Sequence, residues 1–365
     1  MSAQTPNPSS VSQKQQQQEQ QEPKQQQQEP NQQNQPHQIM RPVVFIPLYI
    51  YPFQTAWEPL VRSAIAHPSL TFVTVVNPNN GPGPDPRPDA NYVAALHQLG
   101  ALPNVQLLGY VHVSYCTRNQ SDVERDMDVY RAWNDDLVEG GAATDEQAEE
   151  ETKGETREAS GSLRVDGIFF DETPWDPRHQ GYMARLTRYA RNAWAQPARG
   201  GAPGRDAVLA LNPGVVVEPR WYENVDYVVV FEQSAQHWHN YFVGKGLPQI
   251  PHALRPKSVA IVHTVNSSSS SSSPRAYGNI HNEADETSAL TKHICYLGLG
   301  GVYLTDEVDG GYTRWPAMWE AQLEMLARAN GGGSSSRKNS TKWSKGTAHR
   351  QYRPPSLPLS SSSSQ

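Results

Sequence analysis

Between Arg41 and Asn330, short apolar runs rich in β-branched residues alternate with longer stretches in which apolar positions recur at helical spacing. That alternation predicts repeated strand–helix units and a parallel sheet. Eight runs read as strands: Val43–Tyr49, Thr71–Asn77, Val105–Val113, Val165–Phe170, Ala207–Asn212, Tyr227–Phe231, Ser258–His263 and Gly301–Thr305. Helical spacing is found over Trp57–Ala66, Asn91–Gly100, Asp122–Asn134, Tyr182–Ala195, Ala284–Leu297 and Trp315–Asn330, with weaker signals at Pro219–Glu223 and His237–Val243. Runs such as VVFIPLY, FVTVV and YVVVF are apolar without a break, as expected of strands covered on both faces. Eight of them in 290 residues favour a closed (β/α)8 TIM barrel over an open doubly wound sheet. The first strand runs into YIYPFQ, so the glycine fingerprint of a dinucleotide fold is missing.

Composition changes the picture at the edges. Only 36% of the 365 residues are hydrophobic, but the polar excess is local. Residues 1–40 hold 16 glutamines, and residues 331–365 form a basic, serine-rich stretch. Neither has enough apolar surface to offset ordering entropy, so both are expected to be disordered tails. Low-complexity segments at about residues 137–162, strongly acidic, and 266–276, with a run of serines at 267–273, are expected as loop insertions on the barrel. The net charge of −6 divides the same way: the acidic segment 139–158 contributes −6, the C-terminal tail +6, and the core retains about −5. No basic surface is left to hold a nucleic-acid backbone. Cys116 and Cys295 make neither a disulfide framework nor a metal-binding spacing, and no cofactor is implied. No window of about 18 apolar residues is found, which predicts no membrane span. The opening MSAQTPNPSS has no basic-then-apolar leader, so the expected location is cytoplasmic by default.

In a barrel of this kind the chemistry gathers where strands end at their C-terminal side. Those positions are Tyr49 and Tyr51, Asn77, His112 and Tyr115 with Arg118 beyond, Asp171 and Glu172, Asn212, Glu232, His263, and Asp306 with Glu307. Two carboxylates following directly on VDGIFF, with a third after VVVF, carry the strongest signal. Acids at the rim of a buried strand are costly without partners or a purpose. Neighbouring strand residues face opposite ways, so Asp171 and Glu172 both reach the mouth only if the chain leaves regular strand geometry there. Two or three carboxylates among tyrosines, tryptophans, asparagines and histidines are the equipment of glycoside hydrolysis: one proton donor, one charge to attack or stabilise the sugar cation. Aromatic side chains, among them Tyr49, Tyr51, Tyr115, Trp175 and Trp238, offer faces for sugar rings. Asn77, Asn212 and His263 offer hydrogen bonds. A non-catalytic polysaccharide-binding protein and a metal-dependent hydrolase on His112, His263 and Asp306 are the competing readings.

These residues resemble a known family. PLYIYP at 47–52, VNPNNGPG at 76–83, NVQLLGYVHVSY at 104–115 followed by Arg118, VDGIFFDETP at 165–174, LNPG at 211–214 and VVFEQS at 229–234 are similar to spherulation-specific family 4, the spherulin-4 proteins, which include glycoside hydrolase family 135. The likeness runs from about Val43 to Asp306. It implies a (β/α)8 barrel acting on galactosaminogalactan, an α-1,4-linked galactosamine-containing polysaccharide, with Asp171, Glu172 and Glu232 as its essential acids. It also implies secreted or membrane-anchored relatives.

Overall fold

The computed structural model describes residues 42–135, 163–200, 203–265, 283–308 and 311–331, all within the unit Ile39–Gln365. The glutamine-rich tail, both expected insertions and the C-terminal tail beyond residue 331 lie outside the described residues.

Eight parallel strands close into a barrel in sequence order. They are β1 (Val43–Leu48), β2 (Phe72–Val76), β3 (Val105–His112), β4 (Gly167–Asp171), β5 (Val208–Leu211), β6 (Tyr227–Ser234), β7 (Ser258–His263) and β8 (Gly301–Leu304). Closure is made where Val43 and Val44 of β1 pair with Gly301 and Val302 of β8. The helices are α1 (Glu58–Ala66), α2 (Ala90–Gly100), α3 (Gln120–Ala132), α4 (Gln180–Ala195), the single turn α5 (Ala235–His237), α6 (Glu283–Tyr296) and α7 (Trp319–Gly331). The chain is therefore a (β/α)8 TIM barrel, in which every position of β2 and β7 is buried between the barrel interior and the helical layer.

Small residues let the layers approach. At Gly167 a Cβ would sit 1.8 Å from the carbonyl oxygen of Val208, its partner on β5. At Gly109 it would sit 2.5–2.7 Å from atoms of the Tyr130 ring, which α3 lays flat on the sheet. Below the sheet, buried Asp166 accepts from the Leu107 N–H at 2.9 Å and pairs with Arg164 at 2.9 Å and Arg205 at 3.1 Å, pinning β4 to β3 at the end away from the mouth.

The structure departs from the expected layout between β5 and β7. Between β5 and β6 only one 3-10 turn, Pro219–Tyr222, replaces a helix. Strand β6 runs three residues longer than expected, so Glu232 lies within it rather than after it. The expected helix over His237–Val243 is a π-helical segment, Trp238–Gly246, whose residues Trp238, Phe242 and Gly246 turn inward together. No helix among the described residues is long and apolar enough to cross a membrane.

Gly167→Ala should lower the melting temperature by roughly 5–10 °C or more, since backbone cannot yield as a side chain can. An unchanged melting curve by circular dichroism would show that β4 and β5 do not pack this closely.

Candidate active site

The carboxylate of Asp171, the last residue of β4, is met from both sides. Tyr110 of β3 donates its hydroxyl to Oδ2 at 2.8 Å, and Asn212, just past β5, donates Nδ2–H to Oδ1 at 2.8 Å. The same Asn212 nitrogen donates to Oε2 of Glu232 on β6 at 2.7 Å, and the Tyr312 hydroxyl donates to Glu232 Oε1 at 2.5 Å. Bonded at 2.8 and 2.7 Å to one nitrogen, the two inner carboxylate oxygens are at most 5.5 Å apart. Four oxygens thus receive four hydrogen bonds from three side chains.

Burial is the dominant influence on both acids. It raises the pKa of Asp171, with the neighbouring Glu172 adding to the rise and the Tyr110 and Asn212 hydrogen bonds working against it. It raises that of Glu232 as well, opposed by the Tyr312 and Asn212 bonds and reinforced by the charge of Asp171. The tyrosines respond in the same direction. Burial and the adjacent carboxylates push Tyr110 and Tyr312 far above the usual phenol range, so both remain proton donors. Tyr49, edge-on to Tyr110 and to Tyr312, is held protonated by the same causes.

Glu172 is set apart from this pair by its backbone. Its φ of 53° is left-handed, so the chain swings out of the strand one residue after Asp171 and the alternation of faces is broken. Its side chain is 42% exposed, with Oε2 3.7 Å from Nδ1 of His112. A second left-handed stretch faces it: Ser114, Tyr115 and Cys116 have φ of 45°, 53° and 65°. The Tyr115 N–H bonds the Glu172 carbonyl at 2.8 Å, and Ser114 Oγ lies 2.9 Å from His112 Nδ1. Four consecutive or facing residues in a region costing about 1 kcal/mol each mark a strained, specified corner.

The other expected site residues divide into two groups. Asn212 is buried in the centre, and its own Oδ1 has no partner among the described residues. Tyr49 lines the interior below it, His112 stands beside Glu172, and Tyr115 is exposed on the strained turn. His263 is buried at the end of β7 with Nδ1 3.1 Å from Thr264 Oγ1. Tyr51 sits at the rim, its hydroxyl donating to Asp89 at 3.0 Å. Asn77 closes its own loop by accepting from the Gly81 N–H at 3.0 Å. Arg118 is bound to Asp126 at 2.8 Å and to the His112 carbonyl at 2.8 Å, a structural tie. Asp306 is gripped by both terminal nitrogens of Arg314 at 3.1 and 2.8 Å, which commits the carboxylate and lowers its pKa. Trp238 requires correction: it is wholly buried against Phe231 and Phe242 and presents no face to a sugar. Among the described residues no group of three or more His, Cys, Asp or Glu is placed to hold a metal ion.

Tyr110 and Tyr312 were not anticipated. Tyr110 lies two residues before His112 on β3, hence on the same face, and that spacing was a usable signal. Tyr312 comes from the loop after β8 with φ 46°, a position no strand periodicity marks.

The model of spherulation-specific family 4 matches residues 43–326. Spherulin-4 of Physarum polycephalum is 23% identical over 271 residues, which cover 73% of this chain but 64% of that protein, so the chain spans less than two thirds of that relative's length. The crystal structure of Aspergillus clavatus Sph3 in complex with GalNAc is similar at a TM-score of 0.61 and 28% identity, covering 79% of this chain and 98% of that one.

Because burial raises the Glu232 pKa, the fold favours its protonated form: that contribution is full below about pH 4.5 and is lost as pH rises through the raised value. Glu232→Gln should therefore raise the melting temperature at pH 7, with the gain shrinking toward pH 4. Calorimetry at the two pH values measures it, and an equal shift at both contradicts the desolvation account.

Proposed function

The chain belongs to spherulation-specific family 4, and we propose that it is a glycoside hydrolase acting within a galactosamine-containing, α-1,4-linked polysaccharide. The observation that carries this reading is the Asn212 bridge: two half-buried, hydrogen-bonded carboxylates whose inner oxygens are at most 5.5 Å apart, beside a third that reaches solvent. Asp306 and Asp166 are paired with arginine, whereas Asp171 and Glu232 accept only from neutral donors.

The roles follow from access and constraint. A general acid must regain its proton from water after each turnover, which favours Glu172. Glu232, fixed at both oxygens, is the charge held ready for the oxocarbenium-like transition state, as nucleophile or stabiliser. Asp171 faces it across Asn212. Close to one another across a single amide, Asp171 and Glu232 suit attack by the Glu232 carboxylate, or by a substrate acetamide that Asp171 orients. That the Aspergillus clavatus relative was solved in complex with GalNAc supports an N-acetylated galactosamine as the sugar recognised. Unpartnered Asn212 Oδ1 would accept from a hydroxyl or acetamide N–H.

Incubated with galactosaminogalactan, the protein should release oligosaccharides detectable by mass spectrometry, and Glu172→Gln should release them at least about 10²-fold more slowly. Retention of the polymer with no fragments would mark a polysaccharide-binding protein instead. Tyr312→Phe removes a bond that favours ionised Glu232, so the acidic limb of the kcat/KM profile should move to higher pH. A profile unmoved by this substitution denies Glu232 an ionised role.

A further inference from the structure

Beside the mouth, the loop after β1 and helix α2 enclose a half-open cavity of about 290 Å³, walled by Gln54, Thr55, Glu58, Asn91, Ala94 and Gln98. It contains none of the three acids. All six of these residues are exposed, and Asn91, Ala94 and Gln98 lie along one face of α2. The helix is fixed in place by Asp89, which caps it by accepting from the Asn91 and Tyr92 N–H groups at 2.9 and 3.1 Å.

Two tyrosines of the loop after β1 link the cavity wall to the site. Tyr49 touches Tyr110 and Tyr312, the donors to Asp171 and Glu232. Two residues on, within about 7 Å of extended chain, Tyr51 is 46% exposed. Its hydroxyl receives the Asn91 side-chain N–H at 2.8 Å, so one asparagine belongs to both the rim and the cavity wall. Phe53, 58% exposed, stands next to it. Gln54 follows with φ 53°, a left-handed turn that redirects the loop at the cavity edge.

Amides, a hydroxyl and one carboxylate around a space at the low end of about 300–1,000 Å³ for ligand pockets, with exposed aromatic rings at the lip, fit a single sugar unit. Glu58 is the one charge on the wall, so an anionic ligand is disfavoured and an amine-bearing sugar is accommodated. We propose that this cavity is a distal subsite that holds one hexose or hexosamine unit of a polymer whose reacting unit lies at Asp171 and Glu232. The subsite rests on the glycosidase reading.

Titration calorimetry on the full chain carrying Glu172→Gln, with and without Ala94→Trp or Gln98→Trp, tests it with two probes: an N-acetylgalactosamine disaccharide and a galactosaminogalactan oligosaccharide of about ten units. Both added tryptophans replace exposed residues, and a melting curve verifies the fold. Filling the cavity should weaken oligosaccharide binding about tenfold, a loss of about 1.4 kcal/mol, and leave the disaccharide unchanged. Unchanged oligosaccharide affinity in both filled variants, or an equal loss for both probes, overturns the subsite alone. Failure of either probe to bind the unfilled protein overturns the glycosidase reading and the subsite with it.

Discussion

Two carboxylates this close repel each other unless one keeps its proton or a group between them offsets the repulsion, and the carboxamide of Asn212 lies between these two. A single –NH₂ carries two hydrogens in one plane, enough for one bond to each acid. Its neutrality matters as much as its geometry. An arginine or lysine at this point would hold both acids fully ionised, as Arg314 does for Asp306. An amide supplies the hydrogen bonds without a full charge, so desolvation still prevails and both acids keep a raised proton affinity. Tyr110 and Tyr312 repeat the device at the outer oxygens. The four carboxylate oxygens are therefore satisfied in hydrogen bonds while remaining electrostatically unrelaxed.

The barrel makes this arrangement possible by fixing the backbone around it. Asn212 N–H bonds the Phe170 carbonyl at 2.9 Å, and Thr173 N–H bonds the Asn212 carbonyl at 3.1 Å, so β4 and β5 are laced together on either side of the two acids. On the other flank, Val113 N–H bonds the Asp171 carbonyl at 3.0 Å and Tyr115 N–H bonds that of Glu172. These bonds hold four non-glycine residues in left-handed conformations that an isolated loop would not keep. Strain is retained because strand ends on both sides already dictate where the chain must pass.

The eight strands were readable because continuous apolar runs separated by helical spacing admit few other packings, and the acids were readable because a barrel sends its strand ends to one mouth. What the sequence hid depends on partners distant in the chain or on local twist. Arg118 and Asp306 look like free functional charges until Asp126 and Arg314, each eight residues away, are seen to hold them. Trp238 reads as a sugar platform on an exposed helix. In the π-helical turn it faces inward instead, into a cluster with Phe231 and Phe242. Tyr312 is carried in by a loop secured through Glu307, which accepts from both the N–H and the hydroxyl of Thr313.

One backbone angle divides the labour among the three acids. Had Glu172 continued β4, its side chain would point away from the face of Asp171, into the packed layer under the helices. The left-handed turn at 172 lifts it to the surface of the mouth beside His112 instead. Proton exchange with water and a water-poor, rigid pair of charges are conflicting requirements for a single pocket. On the proposed mechanism, placing them on adjacent residues, one at the last strand position and one just beyond it, meets both: Asp171 and Glu232 stay under their neutral donors, while Glu172 reaches solvent.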